Sequence, residues 1–112
     1  MTEIAFAMPI VRGKEALYRE TWDELTGARR DEFAAAQKDA GVTRQAVWRQ
    51  QMPNGGTLAI IYIEATDPDA PRRFASSDTD ISRWFMQRME EVYGRDFTRP
   101  PLHVELDHDF RV

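Results

Sequence analysis

Large and small residues alternate at the start of the chain. The larger apolar side chains are Ile4, Phe6, Met8 and Ile10, and the small residues between them are Ala5, Ala7 and Pro9. A period of two is typical of a β-strand, whose side chains point to its two faces in turn. The pattern therefore predicts a first strand over Ile4–Val11 that packs on both faces and is central in its sheet.

A helical spacing follows a turn at Arg12–Lys14. The apolar positions that share one stripe are Tyr18, Trp22, Leu25, Phe33 and Ala36. They predict a long amphipathic helix that runs to about Ala40 and ends at Gly41 as its C-cap residue. Gly27 lies inside this stretch and costs roughly 1 kcal/mol relative to alanine. We therefore expect a kink or break near Thr26-Gly27.

Two strands joined by a tight turn occupy the middle of the chain. Thr43–Met52 is mostly polar, with Val47 on one face and Trp48 on the other, which predicts an edge strand. Pro53–Gly56 contains residues that tolerate positive φ, as a hairpin turn requires. Leu58–Ile63 contains no charged residue, which predicts an antiparallel central strand that is buried on both faces.

Two helix starts follow the hairpin. Asp67 as an N-cap and Pro68 at the first helical position predict a short helical turn. Ser77 or Asp78 can cap a longer helix, which Gly94 ends. The apolar face of this longer helix consists of Ile81, Trp84, Phe85, Met89 and Val92.

A final strand is predicted after the break at Pro100-Pro101. The apolar residues Leu102, Val104 and Leu106 alternate there with the polar residues His103, Glu105 and Asp107. The period of two predicts a strand whose apolar side faces the core. The complete order of elements is therefore β-α-β-β-α-β.

Composition narrows the class of protein. With 112 residues the chain is expected to be one domain, 1–112, with a genuine core. It has no cysteine, which excludes disulfides and thiolate metal sites and favours a reducing, cytoplasmic location. The net charge of −4 argues against nucleic acid as a partner, and no apolar stretch predicts a signal peptide or membrane span.

The β-α-β-β-α-β order resembles the ferredoxin-like fold. That resemblance implies an α+β protein with a four-stranded antiparallel sheet in the order 4-1-3-2 and both helices on one face. An RNA-recognition module of this fold would need aromatics and a basic-glycine motif on the third strand, where Thr57–Glu64 offers only Tyr62 for stacking. The loop Arg12–Lys14 lacks the Cys-x-x-Cys of a metallochaperone and the glycine-rich anion loop of an acylphosphatase.

The chain is most similar in pattern to the dimeric α+β barrel superfamily. Its blocks Thr43–Trp48 and Ser82–Phe85 resemble small uncharacterised bacterial proteins of that superfamily. The resemblance implies that two sheets pack face to face in a homodimer and that each subunit holds a pocket between sheet and helices. The residues favour this arrangement, because the helix-free face of the first and third strands is apolar or small and would be exposed in a monomer.

Polar residues of the last strand are the first candidates for chemistry. His103, Glu105 and Asp107 share one face of the strand, and His103 could act as acid or base with Glu105 beside it in a ligand site. The ordinary alternative is a polar outer face or dimer seam. We predict no metal and no cofactor, because too few metal ligands converge in the sequence.

Aromatic residues are the second set of candidates. Those that could line a pocket are Tyr18, Trp22, Trp48, Tyr62, Trp84 and Phe85, although each could equally be core. Trp48 and Tyr62 lie on the paired strands of the hairpin and each has a polar group. Arg44 and Arg49 fall on opposite faces of the second strand, so only one can point inward. An inward arginine would suggest a carboxylate or phenolate ligand, and an outward one is a solvated charge.

Two functions remain open at this point. One is a homodimeric protein that binds or transforms a small aromatic or apolar molecule, such as a cofactor-independent oxygenase or isomerase. Its expected ligand-site residues are Trp22, Trp48, Tyr62, Trp84 and Glu105, with His103 as the catalytic residue. The other is a non-catalytic dimeric binding or accessory module, which predicts a packed interior without unpaired buried polar groups. The sequence does not specify the substrate, the reaction or the pathway.

Overall fold

Three strands and four helices make up the structure. The structure, a computed structural model, describes residues 1–95 and 104–112. Its elements are β1 (Thr2–Ile10), α1 (Glu15–Thr26), α2 (Arg30–Ala40), β2 (Val42–Gln51), β3 (Thr57–Ala65), α3 (Ala70–Ala75) and α4 (Asp80–Tyr93). The predicted α+β class with an antiparallel sheet is confirmed.

The strands are arranged in the order β1-β3-β2, with both neighbours antiparallel to β3. β3 is central, as its uncharged sequence predicts, and β2 is at an edge. The neighbours predicted for these three strands are thus correct. β1, however, is at the other edge of the described sheet and not central in it.

The fourth strand is not found in the described residues. Leu102 and His103 lie outside them, and residues 104–107 are not in a strand. Val104 and Leu106 are 55% and 79% exposed, so the alternation there does not reflect burial against a core. The segment 104–112 does approach the sheet, since Arg111 lies 3.9 Å from the Glu3 carboxylate at the start of β1.

The predicted break in the first helical stretch is confirmed. α1 ends at Thr26, and α2 begins at Arg30 after a turn around Gly27. A Cβ atom at Gly27 would lie 2.7 Å from the backbone oxygen of Asp23, so a side chain does not fit there. Gly41 ends α2 with a φ of 98°, in the left-handed region that favours glycine, as predicted.

The predicted helix caps near residues 67 and 77 are wrong. Asp69, not Asp67, is the N-cap of α3, and the Asp67 carboxylate accepts a hydrogen bond from the Asp69 amide. At α4 the cap is Thr79, whose hydroxyl accepts from the Ser82 amide at 3.2 Å. Thr79 has the extended backbone that a capping residue adopts, one residue before the helix begins.

All helices that contact the sheet cover the same face. On β3 the buried residues alternate with half-buried ones, and the buried set is Thr57, Ala59, Ile61, Ile63 and Ala65. The four apolar residues of this set form a core with β1, with Tyr18 of α1 and with Val92 of α4. The opposite face of the sheet, which we call the open face, is not covered by any element in the described residues.

A second apolar cluster lies among the helices. Its aromatic rings are Trp22, Phe33, Phe74 and Phe85, with neighbouring centroids 5.2–6.1 Å apart. Most of these pairs are edge-to-face, the geometry that aromatic quadrupoles favour. Much of the space between the helices is therefore filled by side chains.

Candidate functional site

A cleft between α1 and β2 opens on the helix-covered side of the sheet. Its volume is about 230 Å³, and its lining residues are Tyr18, Arg19, Trp22, Asp23, Val47 and Arg49. We call it the α1–β2 cleft. It contains two aromatic side chains, one apolar side chain and three charged side chains.

Element geometry explains why these residues meet. Tyr18 and Trp22 are four positions apart on α1, which places them on one face of the helix, one turn apart. Val47 and Arg49 are two positions apart on β2, so they share a face of the sheet. Arg49 pairs with Ala59 of β3, a fully buried residue of the helix-covered face. Arg49 is therefore the arginine of β2 on the helix-covered face, where its side chain is exposed at the edge of the sheet.

Two residues that line the cleft each have a polar atom without a hydrogen-bond partner. These atoms are the Tyr18 hydroxyl and the Trp22 indole Nε1, and both are buried. Tyr18 is only 3% exposed. Burial raises the pKa of the Tyr18 phenol, while the nearby positive charge of Arg49 acts in the opposite direction and is the smaller effect. Tyr18 is therefore protonated at neutral pH and can donate a hydrogen bond.

Positive charge predominates at the mouth of the cleft. Arg49 and Arg19 are opposed by the single carboxylate of Asp23. Among the described residues, Arg49 makes no ion pair and no hydrogen bond. By contrast, Arg29, Arg73 and Arg83 each contact a carboxylate. The cleft therefore has a small local excess of positive charge, whereas the chain as a whole has a net charge of −4.

The structure separates the residues predicted to line one pocket. Trp22 lines the α1–β2 cleft, whereas Trp48 and Tyr62 lie on the open face, on the other side of the sheet. Trp84 is on α4, where the guanidinium carbons of Arg29 and Arg88 lie 4.8 and 5.0 Å from its ring centroid. These four aromatics therefore do not form a single site.

The polar candidates of the last predicted strand are not brought to the cleft. Glu105 is exposed and belongs to the segment 104–112, which does not contribute to the cleft lining. His103, predicted as the catalytic residue, lies outside the described residues. Its role stays a prediction.

The open face consists of four rows of side chains across the three strands. In the order β1, β3, β2 the rows are Glu3, Glu64, Arg44; Ala5, Tyr62, Ala46; Ala7, Ile60, Trp48; and Pro9, Leu58, Gln50. The two middle rows contain no charged residue. Trp48 is 53% exposed, a large fraction for so apolar a side chain. The face thus has an apolar centre and one charged end.

The charged end of the open face is organised around Tyr62. Its hydroxyl donates to Glu64 at 3.0 Å, and the Arg44 guanidinium lies 5.4 Å from its ring centroid. Partial burial, the hydrogen bond to Glu64 and the charge of Glu3 raise the pKa of Tyr62 to about 12. The phenol is neutral at physiological pH and serves as a donor there.

A larger depression of about 440 Å³ lies along the last turns of α4. It is lined by Gln87, Glu90, Glu91, Gly94 and Arg95. Most of these residues are exposed, and none of the unpaired buried polar atoms belongs to them. This depression lacks the buried recognition groups that the α1–β2 cleft has.

The described residues contain neither a cluster of metal ligands nor a membrane-spanning helix. No group of three or more histidine, cysteine, aspartate or glutamate side chains is arranged there to hold a metal ion. None of the helices in residues 1–95 and 104–112 combines the length and apolar character needed to cross a membrane.

Sequence reasoning found part of the cleft and missed the rest. Tyr18 and Trp22 were recognisable as aromatics of one helical stripe, and Arg49 as one of two arginines of which one points inward. Arg19 and Asp23 were missed because they look like ordinary exposed helix residues. A signal was available, since each directly follows one of the two cleft aromatics on α1.

Comparison with known proteins gives no assignment. No family model matches the chain, and a search of curated proteins found no match. The function must therefore be argued from the cleft and the open face.

Proposed function

We propose that this protein binds a small, partly aromatic molecule in the α1–β2 cleft. The observation that carries the proposal is that two residues lining an open cleft, Tyr18 and Trp22, each have a buried polar atom without a partner, the phenol hydroxyl and the indole nitrogen. Buried polar groups in folded proteins nearly always have partners. A ligand that enters the cleft and shifts the side chains of Tyr18 and Trp22 would bring hydrogen-bond acceptors to both atoms.

The cost of unpaired buried donors favours a ligand over a packing defect. A buried donor without a partner costs about 1–3 kcal/mol, and two such groups belong to residues one helical turn apart on α1. A ligand that accepts both hydrogen bonds removes that cost, while the aromatic ring of Trp22 and the side chain of Val47 offer apolar contact. The cleft volume is below the roughly 300–1,000 Å³ typical of drug-sized ligands, so a molecule of one or two rings fits best.

The rival is a non-catalytic module with a filled interior. Part of what it predicts is present, because Trp22, Phe33 and Phe85 pack against one another between the helices. Its other requirement is not met, since polar atoms of Tyr18 and Trp22 are buried without partners. Ser82 also has an unpaired hydroxyl, but it does not line the cleft.

Thermal-shift screening of one- and two-ring molecules, both neutral and charged, tests the proposal. We expect at least one molecule to raise the melting temperature of the wild-type protein. Tyr18→Phe removes the unpaired hydroxyl and keeps the ring, so it should fold at least as stably as the wild type. It should nevertheless bind that molecule about five- to tenfold more weakly, the value of one hydrogen bond.

Trp84→Phe is the matched control, because Trp84 is an aromatic residue that does not line the cleft. It should leave the affinity unchanged. If no molecule of the panel stabilises the protein, or if Tyr18→Phe binds as tightly as the wild type, the cleft is not the binding site and the packed module becomes the better account.

We also propose that the protein is a homodimer of the α+β barrel type, joined through the open face. The apolar centre of that face supports this, since Ile60 and Trp48 lie there with small alanines around them. The rows extend roughly 10 Å across the strand axes and 20 Å along them. This footprint of about 200 Å² per copy is below the roughly 800 Å² per partner of a standard interface, so we expect a weak dimer that dissociates on dilution.

Charge complementarity favours one orientation of the second copy. A two-fold axis parallel to the strands, passing over β3, would place β1 of one copy over β2 of the other at the same height. Glu3 would then lie opposite the partner's Arg44, and the same pair would occur twice by symmetry. An axis perpendicular to the strands would instead place Glu3 opposite the partner's Pro9.

Light scattering across a dilution series tests the dimer. The wild type should approach twice the chain mass of 13.0 kDa at high concentration, and Trp48→Glu should stay at that chain mass. Gln87→Glu adds the same negative charge at an exposed position of α4 and should behave as the wild type. Arg44→Glu should weaken the dimer, and the double variant Glu3→Arg/Arg44→Glu should restore it. A wild type that is monomeric at every concentration would contradict the proposal.

Catalysis would require that the protein also transforms the molecule that it binds. The oxygenase or isomerase role rests on His103, which lies outside the described residues. Asp23 is the one carboxylate among the lining residues of the cleft, and none of those residues is a histidine. The geometry of the described residues therefore supports ligand binding. A catalytic role for His103 stays a prediction, which is tested by comparing the turnover of a bound ligand by the wild type and by His103→Ala.

A further inference from the structure

We infer that the α1–β2 cleft selects a carboxylate-bearing aromatic molecule, whose carboxylate pairs with Arg49 while its ring lies against Trp22. The inference rests on the proposed function, because it names the class of ligand for the same cleft. It is carried by three observations about the described residues: the position of Arg49, the nature of the polar groups beside it, and the local charge.

Arg49 lines the cleft, where its guanidinium can meet a ligand. The pairing of β2 with β3 places it opposite Ala59, on the helix-covered face, and it lines the cleft together with Tyr18. It makes no ion pair within the described part of the chain. Its counterpart Arg44 lies on the open face over the Tyr62 ring. The unpaired arginine of β2 is thus the one at the cleft.

The polar groups of the cleft are complementary to an acceptor. An indole N–H and a guanidinium are donors only, and a neutral phenol can donate as well. Trp22, Arg49 and Tyr18 therefore offer several donors, while the one acceptor-only side chain is Asp23. An ionised carboxylate accepts about four hydrogen bonds and has no donor group of its own that would need an acceptor. A neutral amide or alcohol would bring a donor for which the Tyr18 hydroxyl oxygen is the one acceptor among these three residues.

Carboxylate is favoured over phenolate on two grounds. A guanidinium fork matches the two oxygens of a carboxylate, which allows bidentate pairing. A carboxylic acid is also ionised at neutral pH, whereas an ordinary phenol, with a pKa near 10, is not. The small excess of positive charge from Arg49 and Arg19 over Asp23 supports an anion in a chain that is otherwise acidic.

Titration calorimetry with 1-naphthoate and its neutral analogue 1-naphthamide tests the inference. The wild type should bind naphthoate at least about tenfold more tightly than naphthamide, as expected for a charge-assisted pair. Arg49→Gln should abolish most of this preference by weakening naphthoate alone. Arg44→Gln, the same change on the open face, should keep the preference.

The outcomes separate the ligand class from the existence of the site. If naphthamide binds as tightly as naphthoate, and Tyr18→Phe weakens both, the cleft binds aromatic molecules and the carboxylate inference is overturned. A naphthoate preference that survives Arg49→Gln also overturns it. If neither compound binds the wild type while a neutral molecule of the thermal-shift panel does, the carboxylate inference is overturned and the proposed function stands; if no molecule of the panel binds either, both are overturned.

Discussion

Single residues set the polar character of both surfaces. In the cleft, burial raises the pKa of the Tyr18 phenol, and on the open face Tyr62 donates to Glu64. Neither property can be predicted from the sequence, because each depends on which atoms surround the hydroxyl. The roles of the glycines could be predicted, since the left-handed φ of Gly41 is a property of the residue itself.

Tyr62 should titrate near pH 12, by ultraviolet absorbance of its phenolate, with Tyr62→Phe identifying its signal. The unfolded phenol titrates near pH 10, so the unfolded state loses its proton first as pH rises. The stabilisation linked to Tyr62 is therefore fully present below about pH 10 and is lost between about pH 10 and 12.

Glu64→Gln should lower the pKa of Tyr62 towards its ordinary value, because the carboxylate that accepts its hydrogen bond is removed. Glu90→Gln, on the exposed side of α4, is the control and should leave the titration unchanged. A Tyr62 signal near pH 10 in the wild type would show that the hydroxyl is not bonded to Glu64.

At the scale of elements, periodicity predicted which helices and strands exist better than it predicted where they begin and end. The four central features were all found: a first strand, a helix broken at Gly27, a hairpin, and a second long helix ended by Gly94. The caps were missed because several capping residues stand in a row before α4, and sequence alone does not show which has the extended backbone. The final alternating segment failed as a strand in residues 104–107 because its apolar residues are exposed.

Thr79→Ala should destabilise the protein by about 1 kcal/mol, the usual value of an N-cap hydroxyl. The reason is the loss of the hydrogen bond from the Ser82 amide. Ser77→Ala is the comparison, because the Ser77 hydroxyl donates to the Thr79 hydroxyl at 3.4 Å but does not itself accept from the first turn of α4, and we expect a smaller change. Urea unfolding monitored by circular dichroism measures both; equal losses would mean that the cap is shared.

At the scale of the whole molecule, the two faces of the sheet carry different proposed binding surfaces. The helix-covered face carries the α1–β2 cleft at its β2 edge, and the open face carries Trp48 and Tyr62. The sequence predicted that a helix-free face would be apolar or small, and the paired strands show such a face. It could not predict that Trp22 and Trp48 lie on opposite sides of the sheet, because that requires the register of β2 against β3.

The indole N–H signals of the three tryptophans test the central claim most directly. In a ¹H–¹⁵N spectrum, with Trp22→Phe and Trp84→Phe used for assignment, titration with 1-naphthoate should shift the Trp22 indole signal in a saturable way. The hydrogen bond that the indole donates to the ligand is the reason for this shift. The Trp84 signal should not move. A saturable shift of Trp84 without Trp22, or no shift of Trp22 at the highest soluble concentration, would contradict the account.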